Sequence, residues 1–218
     1  TLTNMAGTEW TAGKVGGALN FDGLVRWEGP LGEKKYAYVY LPQILDIGSG
    51  GWWEDTSYTI SMWVKIPVVG QGNLDPGEAV GKILSNYVGT PTLTVGVHSD
   101  GKIRLTSSSS NSDGSSDLRD NQWHHLAFVR GSSSQYFPTD SFFYGYVDGV
   151  IELSTGRGLH NITLDRRHRI GMDYIEWPAT QQKPFHGSLD DFRIYNHALS
   201  AGEVSALAGG GGGGGGAP

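Results

Sequence analysis

The chain has 218 residues, 38% of them hydrophobic and 11% aromatic, enough for one sizeable core, and its charged residues sum to a net charge of −6. An acidic chain without a Lys/Arg cluster suits nucleic-acid phosphates poorly, and the lack of cysteine removes disulfides, thiolate metal sites and a cysteine nucleophile. No apolar run approaches the ~20 residues of a membrane-spanning helix, while 34 glycines among Ser/Asn/Asp clusters announce many turns.

Short alternating runs bounded by turn residues then follow one another along the chain. "GALNFDG" places Leu19 and Phe21 on one face, and "YAYVYL" aligns Tyr36, Tyr38 and Tyr40. "YTISMWVKI" sets Ile60, Met62 and Val64 against Thr59, Ser61, Trp63 and Lys65. "AVGKILSNY", "LTVGVHS", "KIRLTSS", "WHHLAFVR", "SFFYGYVDG", "VIEL", "HRIGM" and "FHGSLDDFRIYN" continue the pattern. Asp100-Gly101 and Asp148-Gly149 each separate two runs, and Asp-Gly supplies the positive φ of a type I′ hairpin turn. "SSSSNSDGSSD" and "GSSSQYFPTD" read as solvated loops. Near the end "LSAGEVSALA" carries a capping box, Ser200 with Glu203 three residues on, and predicts one short helix. The expected class is therefore all-β and antiparallel, with a dozen strands or slightly more and a single C-terminal helix.

Taken in order, "GKVGGALNFDG", "YTISMWVKI", "DNQWHHLAFVR", "YVDGVIEL", "RIGM" and "FHGSLDDFRIYNHALSAGEVSAL" resemble the laminin-G-like group of the concanavalin A-like jelly-roll sandwiches. The resemblance runs from Gly13 to Leu207 and is most specific in its closing stretch. It implies a β-sandwich of two curved antiparallel sheets over residues 1–208, followed by a polyglycine tail at 209–218, and an extracellular or cell-surface bacterial protein. In such domains a calcium ion ties an early turn to the last strand; the matching residues are Asp22, the carbonyls beside Gly23, and Asp190. Calcium takes about six to eight oxygens from separate segments, which these positions would begin to supply. The alternative is that Asp22 serves a turn and Asp190 pairs with Arg193.

Sandwiches of this type also include glucanases, which need two carboxylates on one strand face. The acidic pairs here have the wrong spacing: Glu54 and Asp55 are adjacent, as are Asp190 and Asp191, and Asp173 and Glu176 differ in parity. No nucleophile elbow or phosphate-cradling glycine loop accompanies them, and His124 and His125, adjacent in a strand, point to opposite faces. The expectation is a non-catalytic domain.

Two functional readings follow. Trp52 and Trp53 in "GSGGWWEDTS", and Tyr174, Glu176 and Trp177 in "MDYIEWPATQQKP", are aromatics beside polar groups, the equipment of a carbohydrate-binding module that takes polysaccharide. Asn161-Ile162-Thr163 is a glycosylation sequon. The other reading concerns assembly. The chain starts at "TLTN", inside a motif that relatives precede with a strand, so the resemblance leaves an open sheet edge and an uncovered strip of core. Ordering eight glycines costs on the order of 10 kcal/mol, which calls for near-complete backbone pairing. A tail from Gly209 through Gly212 and Gly216 to Pro218, added as a strand to a neighbouring copy, would provide it and build a head-to-tail filament. The sequence favours this structural or adhesive reading, with the sugar-binding module second.

Overall fold

The computed structural model describes residues 2–3, 10–23, 26–28, 33–35, 37–41, 57–68, 81–85, 94–107, 110–132, 141–156, 168–171 and 184–209. The strands are β1 (Leu2–Thr3), β2 (Trp10–Ala12), β3 (Gly17–Asp22), β4 (Arg26–Glu28), β5 (Glu33–Lys35), β6 (Tyr38–Tyr40), β7 (Tyr58–Lys65), β8 (Gly81–Ser85), β9 (Thr94–Val97), β10 (Ile103–Ser107), β11 (Ser110–Asp113), β12 (Trp123–Ser132), β13 (Ser141–Val147), β14 (Val150–Gly156), β15 (Arg169–Ile170) and β16 (His186–Tyr195). The helix α1 spans Ala201–Ala208.

Two seven-stranded antiparallel sheets form a sandwich. One runs β1-β6-β15-β8-β9-β10-β11 and the other β14-β13-β12-β7-β16-β3-β2; β4 and β5 make a separate hairpin. Between the sheets the period-two apolar sets meet as expected: Ile60, Met62 and Val64 of β7, Leu126 and Phe128 of β12, Val95 of β9, and Ile103 and Leu105 of β10 are buried in one cluster.

The polar face of β7 differs from a solvated strand face. Thr59, Ser61 and Trp63 are as buried as their inward neighbours. The reason is a second, smaller layer. Val204 of α1 is fully buried with Ala127, Val129, Tyr146 and Leu199, so the helix closes over the outer side of β12 and β13. Thr59 Oγ1 donates to the His197 carbonyl and accepts from the Leu199 N–H, holding the chain that leads into the helix against β7. Farther along, Lys14 Nζ lies 4.8 Å from the centroid of the Trp63 ring.

The capping box is present as the sequence predicts: Ser200 Oγ accepts from the Glu203 N–H, and the Glu203 carboxylate accepts from the Ser200 N–H at 2.8 Å. Removing it by Ser200→Ala is expected to lower stability by about 1 kcal/mol, read from the chemical-denaturation midpoint.

Three local features depart from the sequence expectation. Asp148 and Gly149 both have positive φ, the type I′ turn, but at the other hairpin only Gly101 does. There Gly101 N–H bonds the His98 carbonyl at 2.9 Å and the glycine follows a type I turn instead. Part of the serine-rich stretch is a strand: β11 pairs with β10, and Arg104 forms a two-pronged ion pair with Asp113 at 2.5 and 2.7 Å. Along β16 and the residue before it the inward positions change parity, Phe185 and Leu189 on one side of the shift, Phe192 and Ile194 on the other. A bulge between Asp190 and Arg193 absorbs the extra residue, with Asp191 at φ 48°.

Candidate functional site

The structure does not bring the calcium candidates together. Asp22 lies opposite His186, and continuing the same register puts Asp190 beside Ala18. Four residues of strand separate the two, roughly 13 Å at the usual rise. Asp190 is instead committed to the backbone: it accepts from the Val15 N–H and from the Asp191 N–H, each at 2.7 Å. Nor does it pair with Arg193, whose guanidinium bonds Asp191. Gly23 has φ +66°, and a Cβ there would stand 2.7 Å from that of His186, so its lack of a side chain has a steric reason. Among the described residues no three His, Asp or Glu side chains gather as a metal site. Asp22, Gly23 and Asp190 do not fit a shared calcium ion.

Trp52, Trp53, Asn161, Tyr174, Glu176, Trp177, Gly212, Gly216 and Pro218 lie outside the described residues. What the structure places is the strand ends. β6 and β15 are antiparallel neighbours, so their C-terminal ends lie at opposite ends of the sheet. Gly209, the one described member of the predicted assembly tail, is the C-cap of α1; its N–H bonds the carbonyl of Ser205.

His124 and His125 diverge as their adjacency requires. His125 is 1% exposed, stands against Trp63 with ring centroids 5.3 Å apart, and shares a 2.9 Å hydrogen bond between Nε2 and Ser61 Oγ. Burial, helped by the charge of Arg193, pushes its pKa down to about 4 against the pull of Asp148 and Asp191. Burial also opposes charge on His124, but hydrogen bonds to Asp148 (2.7 Å) and Asp120 (3.1 Å) outweigh it and hold that pKa above the ordinary histidine value. Ser61 is 2% exposed, so the Ser61–His125 pair is closed to substrate.

Two surfaces could receive a ligand. On the outer side of the first sheet, Tyr38 and Tyr40 stack edge to face at 4.8 Å. Arg169 fills the space beside them, its guanidinium 4.8 and 5.1 Å from the two rings and its Nη2 donating to Tyr40 Oη at 2.9 Å. Farther across, Thr94 is buried and Arg104 is locked to Asp113.

The outer side of the second sheet presents a cleft. In register across four strands stand Trp123, Lys65, Ser188 and Asn20. All four line a depression of about 230 Å³, with Thr11 of β2 and Asn121 at its rim. Trp123, Lys65 and Asn20 reach solvent, and Asn121 is fixed at φ 62° by an N–H bond to the Ile66 carbonyl. Ser188 Oγ donates to Asn20 Oδ1 at 3.0 Å, orienting both side chains. An indole beside amide, hydroxyl and ammonium groups provides an apolar surface for a ring's C–H face and directional partners for its oxygens. The volume is below that of drug-sized sites, suited to about one or two sugar rings.

None of these four residues is singled out by sequence reasoning, because they come from four separate runs. The available signal was parity: Lys65 shares the face of Trp63, and Trp123 opens the strand that pairs with it.

Residues 33–205 match the laminin-G-like family model described as the concanavalin A-like lectin/glucanases superfamily. The chain belongs to this superfamily. Solved structures of the same fold include domain 4 of AbnA, a GH43 extracellular arabinanase from Geobacillus stearothermophilus, in complex with arabinotriose, at 20% identity and a TM-score of 0.59 over 95% of this chain and 87% of that one. The heptameric SAP-like pentraxin of Limulus polyphemus matches at 18% identity and 0.57, covering 87% and 80% of the two chains. The CBM40 of Ruminococcus gnavus IT-sialidase, bound to α2,3 sialyllactose, matches at 14% and 0.53, covering 70% and 82%. No curated protein matches the sequence. At these identities the superfamily likeness concerns architecture, and the site must be argued from its own residues. No helix among the described residues is long and apolar enough to cross a membrane.

Proposed function

We propose that this superfamily member is a non-catalytic carbohydrate-binding module of an extracellular, polysaccharide-active protein, and that it takes saccharide in the Trp123–Lys65–Ser188–Asn20 cleft. The observation that carries the reading is the register itself: an indole, a hydroxyl, an amide and an ammonium stand side by side on an open sheet face. Two structures of similar fold are saccharide complexes, one with arabinotriose and one with sialyllactose, which supports the same class of ligand. Binding is preferred to filament assembly because a polar cleft with an indole stands on the sheet face and two structures of the fold hold saccharide.

The test is a glycan array followed by calorimetric titration of each hit. Trp123→Ala is expected to weaken saccharide binding at least tenfold, the loss of a stacked ring worth about 1.5 kcal/mol or more. Its circular dichroism and unfolding midpoint serve as the folding control. An array without hits, or affinity indifferent to Trp123→Ala, would remove the proposal.

A further inference from the structure

From the charge of the cleft's lining we infer that its ligand is anionic: a sugar bearing a carboxylate, held by Lys65. This rests on the binding reading above and adds the chemical class of the ligand.

The charge of the cleft is one-sided: of its described lining residues Lys65 alone is charged. Ser188 Oγ donates to Asn20 Oδ1, which leaves the two amide N–H groups of Asn20 as further donors. Lys65 contributes an ammonium, three donors with no acceptor. Among the described residues no Asp or Glu lines the depression. A neutral sugar is rich in hydroxyl groups that must donate as well as accept, and a carboxylate at the site is the strongest acceptor for them. A carboxylated sugar reverses the requirement, because its charged group only accepts.

The charge pattern agrees. Other described cations are already engaged: Arg104 with Asp113, Arg119 with Asp117, Arg193 with Asp191, Lys102 with Asp100, Lys14 over Trp63, and Arg169 over Tyr38 and Tyr40. Among the described residues no carboxylate pairs with Lys65. Asp120, the acid adjacent to Asn121 in sequence, bonds His124 and the Gln122 N–H. In a chain of net charge −6, a half-buried ammonium facing a cleft without a counter-charge is a local site of attraction for an anion. Trp123, next to Lys65 across the β7–β12 pair, then takes the apolar face of the same ring.

The experiment titrates the protein with galacturonate, glucuronate, mannuronate and guluronate trimers, each beside its carboxyl-reduced, neutral counterpart. At least one uronate is expected to bind about tenfold or more tighter than its reduced form, as a charge-assisted hydrogen bond worth about 1.5–3 kcal/mol requires. Added salt should weaken the acid and leave the neutral sugar unaffected. Lys65→Gln should bring the acid and its reduced form to within about twofold of each other, whatever it does to the affinity they share. Equal binding of acid and neutral forms, or a preference that survives Lys65→Gln, overturns the inference. A preference for sulfated chains over uronates overturns the carboxylate assignment. Binding of neutral saccharide alone, lost in Trp123→Ala, overturns the charge inference and leaves the binding module standing; no saccharide binding at all removes both.

Discussion

Acidifying the protein from pH 6.5 to pH 4 is expected to cost it roughly 2–3 kcal/mol of folding stability through His125 alone. The folded imidazole is held near pKa 4 by burial at 1% exposure, whereas in the unfolded chain it titrates near its ordinary value of 6.5. Between those values the unfolded state binds the proton and the folded state does not. The contribution is therefore fully present above pH 6.5 and is lost as pH falls through 4. Most surface carboxylates protonate around or below the bottom of this window, which leaves the histidine slope readable.

His124, its neighbour, acts in the opposite direction. Its raised folded pKa makes a contribution that is complete below 6.5 and fades as pH rises. The pair should therefore give a stability maximum near the ordinary histidine pKa. Urea unfolding at intervals from pH 4 to pH 8 measures the curve, and NMR titration of each imidazole assigns its two limbs. A His125 resonance that titrates near 6.5 would contradict the acid limb. His125→Gln should flatten that limb while lowering stability at neutral pH, since it replaces a packed ring against Trp63.

The second large effect lies at the bulge. Asp190→Ala is expected to destabilise the fold by about 3 kcal/mol, because the buried carboxylate accepts two backbone N–H groups and each charge-assisted bond is worth about 1.5 kcal/mol or more. One holds Val15 in the turn before β3; the other holds Asp191 at its positive φ, inside the register shift of β16. For a domain of this size the melting midpoint should fall by about 6–12 °C. Asp190→Asn, which keeps one acceptor oxygen, should recover part of the loss. A melting midpoint unchanged by Asp190→Ala would show that water replaces the carboxylate at both N–H groups.

Asp190 also shows where sequence reading reaches its limit. The motif around it is specific enough to identify the superfamily, and it does place an acidic side chain where the first and last strands meet. Its partner, however, is the backbone at Val15 and Asp191, neither Asp22 nor Arg193. Backbone N–H groups exist at every non-proline position, so residue types cannot reveal which ones a carboxylate will find. The bulge was legible in principle, since Phe185 and Leu189 are odd-numbered core positions while Phe192 and Ile194 are even. A single extra residue must lie between them.

His125 is a comparable case. Adjacency alone places the two histidines on opposite faces. Which face is buried depends on α1, the segment after β16 and Lys14 covering the outside of β7 and β12, contacts made from remote parts of the chain.

What the sequence determines by itself is local or periodic. Period-two runs, turn residues and the capping box suffice for antiparallel strands, two hairpins and one capped helix, and the ordered motifs for the superfamily. The pairing of those strands is a tertiary matter. Trp123, Lys65, Ser188 and Asn20 belong to β12, β7, β16 and β3 and become neighbours only through the register between them. A slip of one residue in any pair would turn one of these side chains to the opposite face, because the strand repeat is two. Parity therefore says which residues can share a face, and only packing of the whole sandwich decides which of them meet.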